Sequence, residues 1–222
     1  MSVYFLLLFA HVMLFAYWLG SDVGVFYGMR FVLDSRLSIE TRRTVMALVH
    51  WIDAIPRICL VLMVPVGLSL SIILGLLDVP EQSQSLFLAA LWVIGLFWLY
   101  LVVRIYGGAK SWLPRTDYVI RVSTMLGFFV AGISSLAGKG PFLAGNEWLA
   151  MKAILFAGVI GCGLMLRILG RPFGAALAQI LDGRSTPEVE ARLRETMVQS
   201  KRVVLVLWAL VACIAFLGLT KF

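Results

Sequence analysis

Six uninterrupted apolar runs, each about 18–27 residues long, leave this chain few ways to fold. Their approximate bounds are 3–27, 50–76, 86–106, 118–138, 146–168 and 203–220. At the α-helical rise per residue, each run covers the roughly 30 Å hydrocarbon core of a bilayer. A membrane barrel needs short strands that alternate apolar and polar residues. These runs do not alternate, and only helices satisfy their own backbone inside lipid. The expected fold is all-α: a polytopic bundle of six transmembrane helices in a single transmembrane domain, 1–222. The 61% hydrophobic share of its 222 residues and a mean hydropathy of +0.97 exclude an ordinary soluble domain. The N-terminus lacks a basic n-region and a small-residue cleavage site, so the first run is expected to be a span and not a signal peptide.

Orientation follows from where Lys and Arg fall. Going from the first loop to the tail after the last run, the counts are 4, 0, 4, 1, 7 and 1. Arg30, Arg36, Arg42 and Arg43 mark the first loop, and Arg104, Lys110, Arg115 and Arg121 the third. The positive-inside rule places loops one, three and five in the cytoplasm and both termini outside, in a bacterial-type inner (plasma) membrane. This distribution accounts for most of the +7 net charge, so nucleic acid is not an expected partner; the lipid bilayer is. In the fifth loop, Ser185-Thr186-Pro187-Glu188 reads as a helix start. Val189, Leu193 and Met197 follow at i, i+4 and i+8, with Glu188/Arg192 and Glu190/Arg194 as i,i+4 pairs. The expectation is a short cytoplasmic amphipathic helix on the membrane surface.

Chemistry inside the spans rests on few residues. Ionisable groups at membrane depth are costly and commonly mark function. In the first run, Tyr4, His11, Phe15, Trp18 and Asp22 share one helical face, with Gly20, Gly24 and Gly28 on roughly the opposite one. That pattern predicts a central helix with His11 pointing inward. Three roles compete for the imidazole: a hydrogen bond between helices, a metal ligand with haem iron foremost, and a proton relay. Lys152 is the one charge deep in the fifth run, with Trp148 a turn before it. It either snorkels outward or binds a propionate, a substrate carboxylate or iron. His50 lies at the other end of the second run from His11's depth, so a bis-His site is not expected. It is either a separate metal ligand or structural. Asp53 and Arg57 form an i,i+4 pair on the His50 face. Asp22 with Arg57, Arg104 or Arg121 reads as buried ion pairing or as an anion site, including one for a second set of propionates. Pro56 and Pro65 are expected to bend the second helix. Cys59, Cys162 and Cys213 lie in apolar runs with no metal or covalent-haem spacing and read as packing residues.

The run His11-Val-Met-Leu-Phe-Ala-Tyr-Trp18-Leu-Gly20, with Tyr27 after it, resembles the first helix of the HemJ-type protoporphyrinogen oxidases and the related CopD-like integral membrane proteins. Met63-Val-Pro65 with Gly75-Leu-Leu is similar to their second span, and Trp148-Leu-Ala-Met-Lys152 to the W-L-x-x-K signature of the HemJ group. The resemblance touches helices one, two and five. It implies haem b, with His11 and Lys152 as the functional His and Lys, and oxidation of protoporphyrinogen as the activity. This chain has Gly161-Cys162-Gly163 where a later His is expected, and it has six spans where the group has fewer.

The leading expectation is a haem b-binding membrane oxidoreductase or electron-transfer protein, with a quinone or another membrane redox protein as partner. His11 is its axial ligand and Lys152 its catalytic or propionate-binding cation. Trp18, Trp148, Arg57, Arg104 and Arg121 complete the cofactor site. Two alternatives stand beside it: a non-catalytic accessory or assembly subunit of a membrane complex, itself open to oligomerisation, and a small-solute or metal transporter.

Overall fold

The computed structural model describes residues 2–109 and 112–221; Lys110 of the third loop lies outside the described residues. Among the described residues, six helices follow one another: α1 (Val3–Leu33), α2 (Ile39–Ile73), α3 (Glu81–Tyr106), α4 (Leu113–Leu136), α5 (Glu147–Leu181) and α6 (Pro187–Thr220). All six are long and apolar enough to cross a membrane. Successive helices are neighbours, α6 returns to α1, and α2 touches α5 across the middle. Loops one, three and five therefore share one end of the bundle, the odd-loop end. Loops two and four share the other, the even-loop end, with both termini.

Local chemistry sets the helix bounds. Ser38 starts α2 by accepting the Thr41 N–H at 3.1 Å. Thr186 starts α6 by accepting the Val189 N–H at 3.3 Å, with Pro187 in the first turn, where its missing N–H costs nothing. Gly138 and Gly183 follow α4 and α5 at φ of +72° and +79°, a backbone region that glycine enters without penalty. In loop one, Arg36 forks onto Asp34 and holds its carboxyl down at about 2, so the pair stays ionised at any physiological pH.

Four helices outrun their apolar segments at the odd-loop end. A helix of 35 residues, such as α2 or α5, is roughly 52 Å long, well over the thickness of a hydrocarbon core. The surplus turns of α1, α2, α5 and α6 have their own core, in which Val32, Ile180 and Leu193 are fully buried beside Met29, Val49, Phe173 and Leu177. Arg42, 2% exposed, ties this core together. Its guanidinium donates to the Val32 carbonyl at 2.8 Å and to both carboxylate oxygens of Glu190 at 2.6 and 3.1 Å.

This corrects the surface-helix expectation. Residues 187–202 are the opening turns of α6 itself. Leu193 and Met197 meet other helices, so the apolar stripe is spent on protein contacts. Glu190 pairs with Arg42 of α2 and not with Arg194, which donates to Ser35 instead.

The position of α1 is a second correction. Only 6% of its apolar window is buried inside the bundle, against 56% for α2, so α1 is peripheral and α2 central. The glycine ladder works in part. Gly24 and Gly28 lie against Ile52 and Val49 of α2, while Gly20 faces open space. Both α2 prolines are buried within a continuous helix, and Pro65 seats against Gly95 of α3, where a methyl group would come within 3.0 Å of the ring.

The even-loop end is closed by its own connections. Leu77 and Phe142 form an isolated antiparallel bridge between loops two and four. The Asp78 N–H donates to the Pro141 carbonyl at 2.8 Å, and the Leu143 N–H to that of Leu76 at 3.1 Å. Phe142 then packs with Ala150 and Ala153 at the start of α5.

Candidate functional site

Polar side chains gather in the bundle at two depths, one near each end. His11 belongs to the even-loop group. It lies roughly 12 Å along α1 from Val3, and its ring turns toward α2. A Cβ added at Gly67 would stand 3.6 Å from His11 Cε1 and 3.9 Å from Nδ1, so the imidazole edge rests on the glycine backbone. Nδ1 is buried and has no hydrogen-bond partner among the described residues. A buried ring nitrogen without a partner loses its water and gains nothing, which marks it for explanation.

Lys152 enters the same region from α5. Its Nζ lies 5.6 Å from the Trp148 ring centroid and close against Gly218 of α6, where an added Cβ would be only 2.8 Å away. Glycine at 218 is what admits the amine. No acid pairs with Lys152 among the described residues. Its charge interacts with His11 and with Lys221. His11 and Lys152, 141 positions apart, come within range of each other's charge, α6 packing against both α1 and α5. Trp148, under the Lys152 amine, is itself buried. Trp18, 4% exposed, lies two turns farther down α1, edge-on to Phe156 with ring centroids 6.5 Å apart.

The odd-loop group is larger and mostly closed on itself. Asp117 of α4 is wholly buried. It accepts the Trp98 indole N–H at 2.8 Å, Arg121 Nε at 3.1 and 3.2 Å, and a terminal amino group of Arg167 at 2.6 Å. One carboxylate thereby joins α3, α4 and α5. Beside it, Asp53 accepts Arg57 at 2.7 and 3.1 Å and the Tyr106 hydroxyl at 2.5 Å. Arg57 also sits over the Tyr106 ring, 5.4 Å from its centroid. Asp22 interacts electrostatically with Asp53 and Arg57 and lies near the Trp18 and Trp208 indoles. Trp208 Nε1 is buried and completes no hydrogen bond among the described residues.

Several expected partnerships resolve differently. Arg57 takes Asp53 and Arg121 takes Asp117, so neither forms an ion pair with Asp22. Arg104 is exposed and outside both groups. His50 is exposed and stacks on Tyr106 with centroids 4.8 Å apart, at the opposite end of the bundle from His11. Among the described residues, no three His, Cys, Asp or Glu side chains converge to hold a metal ion. An iron already bound by a porphyrin needs only one or two protein donors.

Asp117, Arg167, Trp98 and Tyr106 do not stand out in the sequence as site residues. Asp117 and Arg121 carry the same i,i+4 signature as Asp53 and Arg57, so that half was accessible. Trp98 lies in an apolar run and gives no such signal. No family model, no curated protein and no solved structure matches this chain.

Proposed function

We propose that this chain is a multi-pass protein of a bacterial-type inner membrane that binds haem b near the even-loop end and passes electrons within the bilayer. In this reading loops one, three and five face the cytoplasm and both termini lie outside, as the Lys/Arg distribution indicates. The observation that carries the proposal is a pair of basic side chains, His11 and Lys152, whose charges interact and neither of which is ion-paired among the described residues, the imidazole having a buried, unbonded nitrogen.

A neutral imidazole offers a nitrogen donor and an ammonium offers a cation. A ligand that brings a metal and a carboxylate matches both. Haem b has these two features, and because Nδ1 faces Gly67 of α2 the iron would meet the other ring nitrogen. His11 would hold the iron through its imidazole. Lys152, backed by Trp148, would hold a propionate, a substrate carboxylate or the iron. The buried Trp18 would exclude water from the region beneath. The cofactor contributes a one-electron iron couple, whose potential the protein tunes through ligand and burial. A membrane quinone or another membrane redox protein suits a site at this depth, and oxidation of a porphyrinogen is the specific activity that the resemblance implies.

A second reading, an accessory subunit of a larger complex, is supported by α1. Phe5, Phe9, Tyr17, Tyr27 and Phe31 are exposed along it, a broad aromatic surface for lipid or a partner helix. The two readings separate in a cuvette. Protein purified in mild detergent from haem-replete cells should show a Soret band that shifts on reduction. Replacing Lys152 with Met should move the reduction potential or the band position while the pigment remains bound. A colourless wild-type protein removes the redox reading and leaves the subunit reading.

A further inference from the structure

Arg121 of α4 and Arg167 of α5 share Asp117, and Arg57 of α2 lies close enough to interact with the charges of Asp117 and Arg121. The hydrogen bonding of the three arginines is incomplete. Arg121 is 7% exposed, yet it bonds Asp117 through Nε alone. Neither of its terminal amino groups has a protein acceptor among the described residues. Arg167 uses one terminal amino group on Asp117, and Arg57 leaves one of its own unused beside Asp53. Charge is uneven as well. On the α4–α5 side, two guanidiniums share the single carboxylate of Asp117. The third acid of the region, Asp22, interacts with Asp53 and Arg57 on the α1–α2 side. The Arg57 and Arg167 side chains are 37% and 24% exposed, so their unused donors reach the bundle surface, where an anion can meet them.

Depth says what kind of anion reaches it. Measured along their helices from the even-loop end, Arg57, Arg121 and Arg167 lie roughly 24, 22 and 30 Å away. In a hydrocarbon core of about 30 Å, this is the inner edge of the opposite leaflet's phosphate layer, within reach of a snorkelling guanidinium. Guanidiniums match phosphate oxygens through paired N–H donors.

We propose that Arg57, Arg121 and Arg167 form a binding site for a phosphate-class oxyanion at the odd-loop leaflet boundary, with the unused guanidinium N–H groups as donors. An anionic phospholipid headgroup and free phosphate share this chemistry. The site lies roughly 10–18 Å farther along the bundle axis than His11, and its test does not involve haem.

The test is the thermal unfolding midpoint of the purified full-length protein in neutral detergent. It is titrated separately with short-chain phosphatidylglycerol, inorganic phosphate and short-chain phosphatidylcholine. A saturable rise with phosphatidylglycerol alone supports the site and assigns a lipid headgroup; a rise with inorganic phosphate as well supports it and admits the free anion. Half-saturation should require about tenfold more phosphatidylglycerol in Arg167→Gln, the equivalent of one charge-assisted hydrogen bond, and should be unchanged in Arg36→Gln. Arg57→Gln, which leaves Asp53 bonded to Tyr106, should weaken binding similarly and serves if Arg167→Gln does not fold. The proposal is overturned if neither phosphatidylglycerol nor phosphate gives a saturable rise. It is also overturned if phosphatidylcholine matches phosphatidylglycerol, or if the folded Arg variants bind as the wild type does.

Discussion

Asp117 shows what one wholly buried side chain does. Its carboxylate takes three different side-chain donors and holds two arginines that would otherwise be buried unpaired. Asp117→Asn should therefore destabilise the protein by roughly 3–5 kcal/mol, the range seen when one partner of a buried ion pair is removed. Trp98→Phe removes a single neutral donor and should cost about 1–2 kcal/mol. Chemical unfolding of both variants in detergent checks the ratio; equal losses would contradict the central role given to the carboxylate. This residue also marks how far a sequence can be read. Its i,i+4 spacing from Arg121 is visible in the chain. Its bonds to Trp98 and Arg167 are not, because they are set by how α3 and α5 lie beside α4. Likewise His11 and Lys152 stand out as rare ionisable residues in apolar runs, but Gly67 and Gly218, which give them room, look like any other glycine.

At the scale of elements, the apolar runs predicted six helices but neither their ends nor their neighbours. Hydropathy falls where charge begins, yet α2, α5 and α6 continue, because a second core among their polar turns replaces lipid as the partner for Val49, Ile180 and Leu193. The amphipathic stripe at Val189, Leu193 and Met197 was correctly apolar. A stripe alone does not say whether lipid or protein covers it. The same ambiguity misplaced α1. An aromatic-polar face with glycines behind it suits a central helix, but the outer position of α1 depends on the packing of α2 against α5. The Arg42–Glu190 contact tests the extension. Arg42→Met leaves a buried carboxylate and should cost roughly 3–5 kcal/mol, while Arg42→Met with Glu190→Leu should recover most of it. A double variant as unstable as the single one would show that the pair is not the source of the loss. In the other half, Gly132 faces Ile154 and the Ala150 carbonyl, where an added Cβ would stand 2.5 and 2.7 Å away. Gly132→Ala should force α4 and α5 apart and cost about 1–3 kcal/mol in the same assay.

Across the whole molecule, the proposed orientation and the proposed site make linked claims. If the odd loops face the cytoplasm, a cysteine at Lys139 should react with an impermeant maleimide in intact cells. One at Arg184 should react only after permeabilisation. The reverse pattern would turn the bundle over and place His11 at the cytoplasmic side. The two histidines lie at opposite ends of the bundle, so they also separate the ligand from its alternative. The most direct measurement is the reduced-minus-oxidised visible spectrum of His11→Ala and His50→Ala, each purified beside the wild type at matched protein concentration. The account predicts that the haem b bands vanish in His11→Ala and persist at wild-type intensity in His50→Ala. Undiminished bands in a folded His11→Ala protein would contradict it.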